Sequence, residues 1–282
     1  MTAWSPLIVN VALTGMVPTK ADNPAVPITP AEIVEDAQRC VQAGASIVHV
    51  HARDEDGAPT WRAEVYAEIV GGIRERCPAV IVCVSTSGRM WSELERRAEV
   101  LDLEGELRPD LASLTLGSLN FPKQASVNEP VTIVALAERM RERGIVPELE
   151  IFDLGMTDYA RFLVERGVLR PPFVFNVLLG SLGTLAATPL NLAVVTGALP
   201  EGSVWASAGI GRFQLPMNAL AIAAGGHVRV GLEDNLWLDH EKTRPATNLA
   251  LVERLVSIAR AAERPIATPT EARELIGLRR PA

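Results

Sequence analysis

Histidine and cysteine are scarce in this chain, with four of the first (His49, His51, His227, His240) and three of the second (Cys40, Cys77, Cys83) in 282 residues. Three cysteines without framework spacing exclude a disulfide-stapled scaffold. They read as reduced core thiols, which suggests a cytoplasmic protein. No basic stretch leads into an apolar core at the start, so no signal peptide is expected. No apolar run approaches the roughly 20 residues that cross a bilayer. Positive charge is short as well: 27 Lys and Arg stand against 34 Asp and Glu, a net charge of −7. That balance argues against nucleic acid or an anionic membrane as the main partner, while leaving room for a local basic mouth. The chain has no glycine-rich phosphate cradle, sequence repeat, low-complexity segment or linker.

What the chain does have is a beat. Apolar residues make up 48% and charged residues 22%, enough for a large core. Short β-branched or apolar runs fall at 7–11, 46–54, 80–84, 111–116, 146–151, 173–178, 204–208 and 227–231. Helical patterns alternate with them, opening at Thr29-Pro30-Ala31-Glu32, a capping box with proline in the first turn. Further helices are expected near 61–76, 92–101, 130–143, 158–165, 189–196, 216–224, 247–262 and 270–275. Eight such units, about thirty residues apart, predict a (β/α)8 TIM barrel. We expect one domain over residues 1–282, with a short helical extension near 268–282. Polar and glycine-rich residues gather after the strands, at the barrel face where such folds place chemistry.

Two stretches carry that chemistry. In 46–54, strand alternation turns His49 and His51 to one face and Val48 and Val50 to the other. Two imidazoles about 7 Å apart at a strand end can share a metal ion; the plainer alternative pairs them with carboxylates or solvent. In 225–235, Arg229, Gly231 and Glu233 alternate onto one face. A closed barrel sets strand eight beside strand one, and strand one beside strand two, so Glu233 comes within reach of the histidines. Two histidines and a carboxylate with open positions form a catalytic divalent site, usually zinc; a salt bridge to a neighbour is the alternative for Glu233. His227 lies at the other end of strand eight and His240 in a loop. A binuclear hydrolase barrel, which needs more strand-end histidines, is a poor fit.

The stretches HVHARD, VSTSG, PELEIFD and GGHVRVGLEDN, with TPAEI near the start and ATPTEARELIGL near the end, resemble the β-keto acid cleavage enzymes over essentially the whole chain. The resemblance implies a zinc-dependent barrel with one zinc per subunit, commonly a homotetramer. Its reaction takes a β-keto acid and acetyl-CoA to acetoacetate and a new acyl-CoA. The matching positions make His49, His51 and Glu233 the zinc ligands and Asp234 and Arg229 the catalytic pair. Ser85, Gly88 and Ser113 match positions that hold the keto acid. Glu150, on the inward face of strand five, matches a further family glutamate.

Some positions depart from the pattern. The family's founding activity takes an amino-bearing keto acid, whose ammonium meets a glutamate two residues after the first Thr-Gly. Here Thr14-Gly15 is followed by Met16 and Val17. An ammonium against Val17 is desolvated without an ion pair, so a neutral or apolar β-keto acid is expected. Ser87 and Arg89-Met90-Trp91 replace a glycine-richer turn. Arg89 reads first as a solvated loop arginine, and second as a partner for another carboxylate or the CoA phosphates. Lys20 and Arg212, each just after a strand, are the other cations considered for CoA. Two readings remain beside the acyl exchange: a metal-dependent aldolase or lyase that does not use CoA, and a metal-binding barrel without catalysis. Asp234 and Arg229 beside the ligands weigh against the second, since a closed structural zinc site takes four protein ligands.

Overall fold

The protein's structure is a computed structural model that describes residues 5–278; residues 1–4 and the end of the expected C-terminal extension, 279–282, lie outside them. Eight parallel strands close on themselves: β1 (Val9–Ala12), β2 (Ile47–Val50), β3 (Ile81–Val84), β4 (Leu111–Thr115), β5 (Val146–Ile151), β6 (Val174–Leu179), β7 (Val204–Gly209) and β8 (His227–Val230). Each pairs with its neighbour in the chain, and β8 pairs with β1 to complete a (β/α)8 barrel. Helices surround it: α1 (Pro30–Ala43), α2 (Ala63–Arg76), α3 (Leu94–Ala98), α4 (Pro130–Arg143), α5 (Leu154–Glu165), α6 (Pro189–Gly197), α7 (Gln214–Ala223), α8 (Asn248–Ala261) and α9 (Pro269–Leu275). Runs such as Ile81-Val82-Cys83-Val84 are buried throughout because helices cover one face and the barrel interior the other.

The helix signals work as their chemistry requires. Thr29 and Glu32 exchange both capping-box hydrogen bonds, and Gly44 leaves α1 at a φ of 122°, which only glycine adopts without strain. Thr268 and Glu271 repeat the box at α9.

Several boundaries move, each for a physical reason. The first strand begins at Val9, while Leu7 forms an isolated bridge with Ile266. α5 starts at Leu154 rather than 158, because Asp153 caps it by accepting from the Gly155 N–H. α7 starts two residues ahead of Pro216, since first-turn N–H groups lack intrahelical partners and a proline there costs no bond. The helix expected at 92–101 shortens to α3 and tightens into a 3-10 turn, Glu99–Asp102. A two-stranded hairpin, Leu119–Asn120 with Ala125–Ser126, has strands too short for alternation to announce.

His227 sits at the base of the barrel, where its Nδ1 accepts the Ile8 N–H at 3.0 Å. Burial, helped by the Arg264 charge, pushes its pKa down from 6.5 to about 3. Its folded pKa is therefore depressed, and the unfolded chain takes up the proton first. The stability this group contributes is full above about pH 6.5 and declines as pH falls toward 3. Urea melts of wild type and His227→Gln at pH 7.5, 6 and 5 should show the wild-type advantage shrinking with each step. A constant gap would contradict this.

Candidate active site

Register brings the two informative stretches together. Ala12 of β1 pairs with His49 of β2, and Val11 and Asn10 pair with Val230 and Arg229 of β8. The strand ends at Val230, so Glu233 arrives by a tight turn rather than by strand alternation. At Gly231 (φ 147°) a Cβ would sit 2.0 Å from the Ala12 carbonyl oxygen; at Gly15 (φ 68°) one would sit 2.6 Å from Glu233 Cγ. Both glycines are needed for that approach. Asn248 fixes the corner by donating to the Leu13 carbonyl and Asp36 while accepting the Leu232 N–H.

The resulting triad has metal spacing. His49 Nε2 and His51 Nε2 lie 3.2 Å apart; Glu233 Oε1 is 3.2 Å from His51 Nε2, and its Oε2 is 3.7 Å from His49 Nε2. Tetrahedral zinc with bonds near 2.0–2.1 Å separates its ligand atoms by about 3.3 Å. Glu233 Oε2 is buried without a hydrogen-bond partner, an arrangement that suits a bound cation. His49 Nδ1 meets Glu148 Oε2 at 3.1 Å, which leaves Nε2 for the metal, and Asn10 Nδ2 donates to the other Glu148 oxygen at 2.6 Å. A second cluster, His49 with Cys83 and Glu148, suits a metal less well. Burial raises the Cys83 thiol well above its usual range, so a metal there would have to displace a tightly held proton.

Arg229 is the cation at the floor of this site. It is 1% exposed and meets Glu233 at 2.8 Å, Asp234 at 2.9 Å, and Glu148 and Glu150 each at 3.7 Å. Four carboxylates around one guanidinium leave excess negative charge that a divalent ion would balance. Burial pushes Asp234 up and Arg229 opposes it only in part; burial likewise raises Glu150, which accepts from Thr115 Oγ1 at 2.6 Å. Burial works against Glu233 as well, but Arg229 and the histidines outweigh it and hold that carboxyl well below its usual range. Neighbouring carboxyl groups are thus driven apart, one toward a ligand and one toward a base. His51 is pushed down by burial, which favours the neutral imidazole a metal needs.

A cavity of about 320 Å³ opens above the triad, lined by Val17, His51, Ser85, Ser113, Thr115, Glu150, Arg229, Glu233 and Asp234 among others. Buried Arg53, from the HVHARD stretch, holds the loop after β1 by donating to the carbonyls of Gly15, Pro18 and Gly57. That clamp sets Val17 in the cavity wall.

Comparisons with known proteins place the chain in a family. The model of the beta-keto acid cleavage enzyme family matches residues 6–278. The chain belongs to the β-keto acid cleavage enzyme family. It is 42% identical to a 3-keto-5-aminohexanoate cleavage enzyme of Fusobacterium nucleatum subsp. nucleatum over 276 residues, 97% of this chain and 98% of the relative. It is 39% identical to a 3-oxoadipate:acetyl-CoA acetyltransferase of Cupriavidus necator over 276 residues, 97% of this chain and 95% of the relative. The apo structure of ObcA superposes with a TM-score of 0.80 at 22% identity, over 90% of this chain. The chain spans 66% of that protein's length, and at such identity the likeness speaks for the fold alone. Membership makes the chain an enzyme of the acyl-transferring class.

Among the family positions named from the sequence, Gly88 stands apart. It lies behind the cavity wall, where a Cβ would come within 2.7 Å of Arg97 Nη1 and of the Val127 carbonyl oxygen. Buried Arg97 binds the Thr86 carbonyl and Asn128 there, so glycine serves the packing of the turn. Lys20 pairs with Glu32 at 2.9 Å and Arg212 lies over Phe213; neither lines the cavity. Arg89 departs from the solvated reading: it is half-buried, lies over Phe121 and lines the cavity. Glu148 was passed over as a site residue, although its placement two residues before Glu150 in an apolar strand put both on one inward face. Replacing Glu148 with Gln should weaken metal binding about 10- to 100-fold with little change in melting temperature, as read by competition with a chromophoric chelator. Unchanged affinity would remove Glu148 from the support of His49.

Proposed function

We propose that this chain is a zinc-dependent β-keto acid cleavage enzyme that converts a β-keto acid and acetyl-CoA into acetoacetate and the corresponding acyl-CoA. One observation carries the reading: a three-ligand site of zinc spacing shares one cavity with the Arg229–Asp234 pair. His49, His51 and Glu233 would hold the ion, leaving positions open for substrate. A divalent ion there supplies Lewis acidity toward the substrate's ketone and carboxylate oxygens.

The chain's own residues do the rest. Asp234, raised by burial, takes a proton from C2 of the keto acid. Arg229 orients Asp234 through its Nε and faces charge that develops on oxygen. The C2 carbanion attacks the acetyl carbonyl and expels CoA thiolate. The thiolate adds to the original ketone, and the bond between C2 and C3 breaks. Acyl-CoA leaves with the old acyl group, and the remaining carbanion regains a proton as acetoacetate. Ser85 and Ser113 offer neutral hydroxyls in the cavity wall to the keto acid, Gly88 supports their turn, and Glu150 braces the site through Thr115.

Val17 governs the acyl side: it carries no charge, so the atoms that meet it are neutral or apolar rather than an ammonium. Cytoplasmic location, a single domain and homotetrameric assembly belong to the same reading. The three free buried cysteines suit a reducing compartment, and among the described residues no helix is long and apolar enough to cross a membrane.

Mixing the zinc-loaded protein with acetyl-CoA and a panel of β-keto acids should yield new CoA thioesters, read by mass. Product formed without acetyl-CoA would favour the aldolase or lyase reading instead. His49→Ala should abolish both bound metal and thioester formation; retained activity with the metal lost would sink the mechanism. Val17→Glu should raise kcat/KM for 5-amino-3-oxohexanoate at least about tenfold, an effect of ~1.4 kcal/mol. Wild-type preference for that amino acid substrate over simple 3-oxo acids would overturn the role given to Val17.

A further inference from the structure

The cavity has two arginines in its wall, and they stand in opposite circumstances. Arg229 is enclosed by carboxylates. Arg89 makes no ion pair among the described residues, so its nitrogens lie beyond 4.0 Å from the oxygens of Glu150, Glu233 and Asp234. It nevertheless feels the charge of all three, which places it on the same enclosed space. Its guanidinium carbon lies 3.4 Å from the centre of the Phe121 ring, and Phe121 in turn meets Phe152 edge-on at 5.9 Å. The backbone is fixed as well. The Arg89 N–H donates to Ser87 Oγ, and the Arg89 carbonyl accepts from Gln124 Nε2 at 2.7 Å. Gln124 belongs to the turn of the hairpin that carries Phe121.

A guanidinium stacked on a ring keeps its edge donors free, and its planar fork matches a carboxylate. Leaving such a group half-buried and unpaired costs desolvation that a bound anion would offset. The remaining wall near the mouth, including Met16, Val17, Pro18 and Leu182, offers no counter-charge. Arg89 stands beyond contact range of Asp234, a separation that the chain of a keto acid reacting at Asp234 would span. The far end of such an acid can reach.

We infer that Arg89, held on Phe121, binds a second carboxylate at the distal end of the substrate, so that the preferred acid is a 3-oxo dicarboxylic acid. This rests on the cleavage reading and departs from the neutral chain expected from Val17 alone: Val17 disfavours a distal ammonium, and Arg89 selects a distal anion over a wholly neutral chain.

The test compares a six-carbon 3-oxo dicarboxylic acid with 3-oxohexanoate, its length-matched neutral-ended counterpart, in wild type, Arg89→Gln and Arg89→Lys. Turnover is read with acetyl-CoA, and binding of each acid to the zinc-loaded protein is read by calorimetry without acetyl-CoA. In wild type the dicarboxylic acid should show at least tenfold higher kcat/KM and tighter binding. Arg89→Gln should reduce that ratio at least tenfold, mainly through KM, and Arg89→Lys should restore part of it. Equal loss for both acids would assign Arg89 to the carboxylate they share and overturn the proposal. A KM increase for acetyl-CoA but not for acetyl-pantetheine, with the dicarboxylic preference intact, would assign it to the CoA phosphates and do the same. If no thioester forms with any acid, the calorimetric ratio still decides: its collapse in Arg89→Gln upholds the subsite while the cleavage reading fails, and its absence in wild type ends both.

Discussion

The guanidinium of Arg229 is the interaction on which the site depends. It is buried among four carboxylates that would repel one another and resist ionisation without it. By its contacts it sorts them. Glu233 is held as an anion beside two imidazoles and Asp234 is left raised beside it, while burial works against Glu148 and His49 first, with Arg229 second, draws that carboxyl down. One charge therefore separates the protonation of neighbouring carboxyls, while the His49 ring is oriented by Glu148. Such a cluster is a poor source of stability, because desolvating five charged groups offsets much of their attraction. Its value lies in the distribution of protons.

Holding that cluster requires close backbone contact, and the barrel provides it where β8 meets β1 and β1 meets β2. Gly231 presses against the Ala12 carbonyl and Gly15 against the Glu233 side chain, while Asn248 ties the ends of both segments to α8. The triad of His49, His51 and Glu233 is thus placed by the closure of the barrel. What lies above it is built differently. The loop after β1 is clamped by Arg53, the turn after β3 by Arg97, and the hairpin after β4 brings Phe121 under Arg89. Barrels commonly place chemistry on strand ends and selectivity on loops, and this one braces its loops accordingly.

Much of this was legible in the chain. The alternating beat of apolar runs and capped helices led to the eight-fold barrel, and the capping box at Thr29 fixed the start of α1. Two helix starts moved for local reasons: Asp153 caps α5 early, and Pro216 rests harmlessly in the first turn of α7. The Phe121 hairpin carried no readable signal because two residues per strand show no period.

Local patterns determined which residue types could do chemistry: the His-x-His of a strand end, the Arg229 to Asp234 stretch, and the uncharged Val17 where a glutamate stands in the founding activity. The His-x-His is legible because it depends only on near neighbours and spacing, whereas the weight of Arg229, Asp234 and Val17 came from the resemblance to the family. The tertiary structure alone decided which atoms meet. It delivered Glu233 by a turn rather than by alternation, gave His49 its partner in Glu148 from across the barrel, set Gly88 behind the wall, and turned Arg89 from solvent onto an aromatic ring. Each of those outcomes joins residues tens of positions apart, and only barrel closure and loop packing bring such residues into contact.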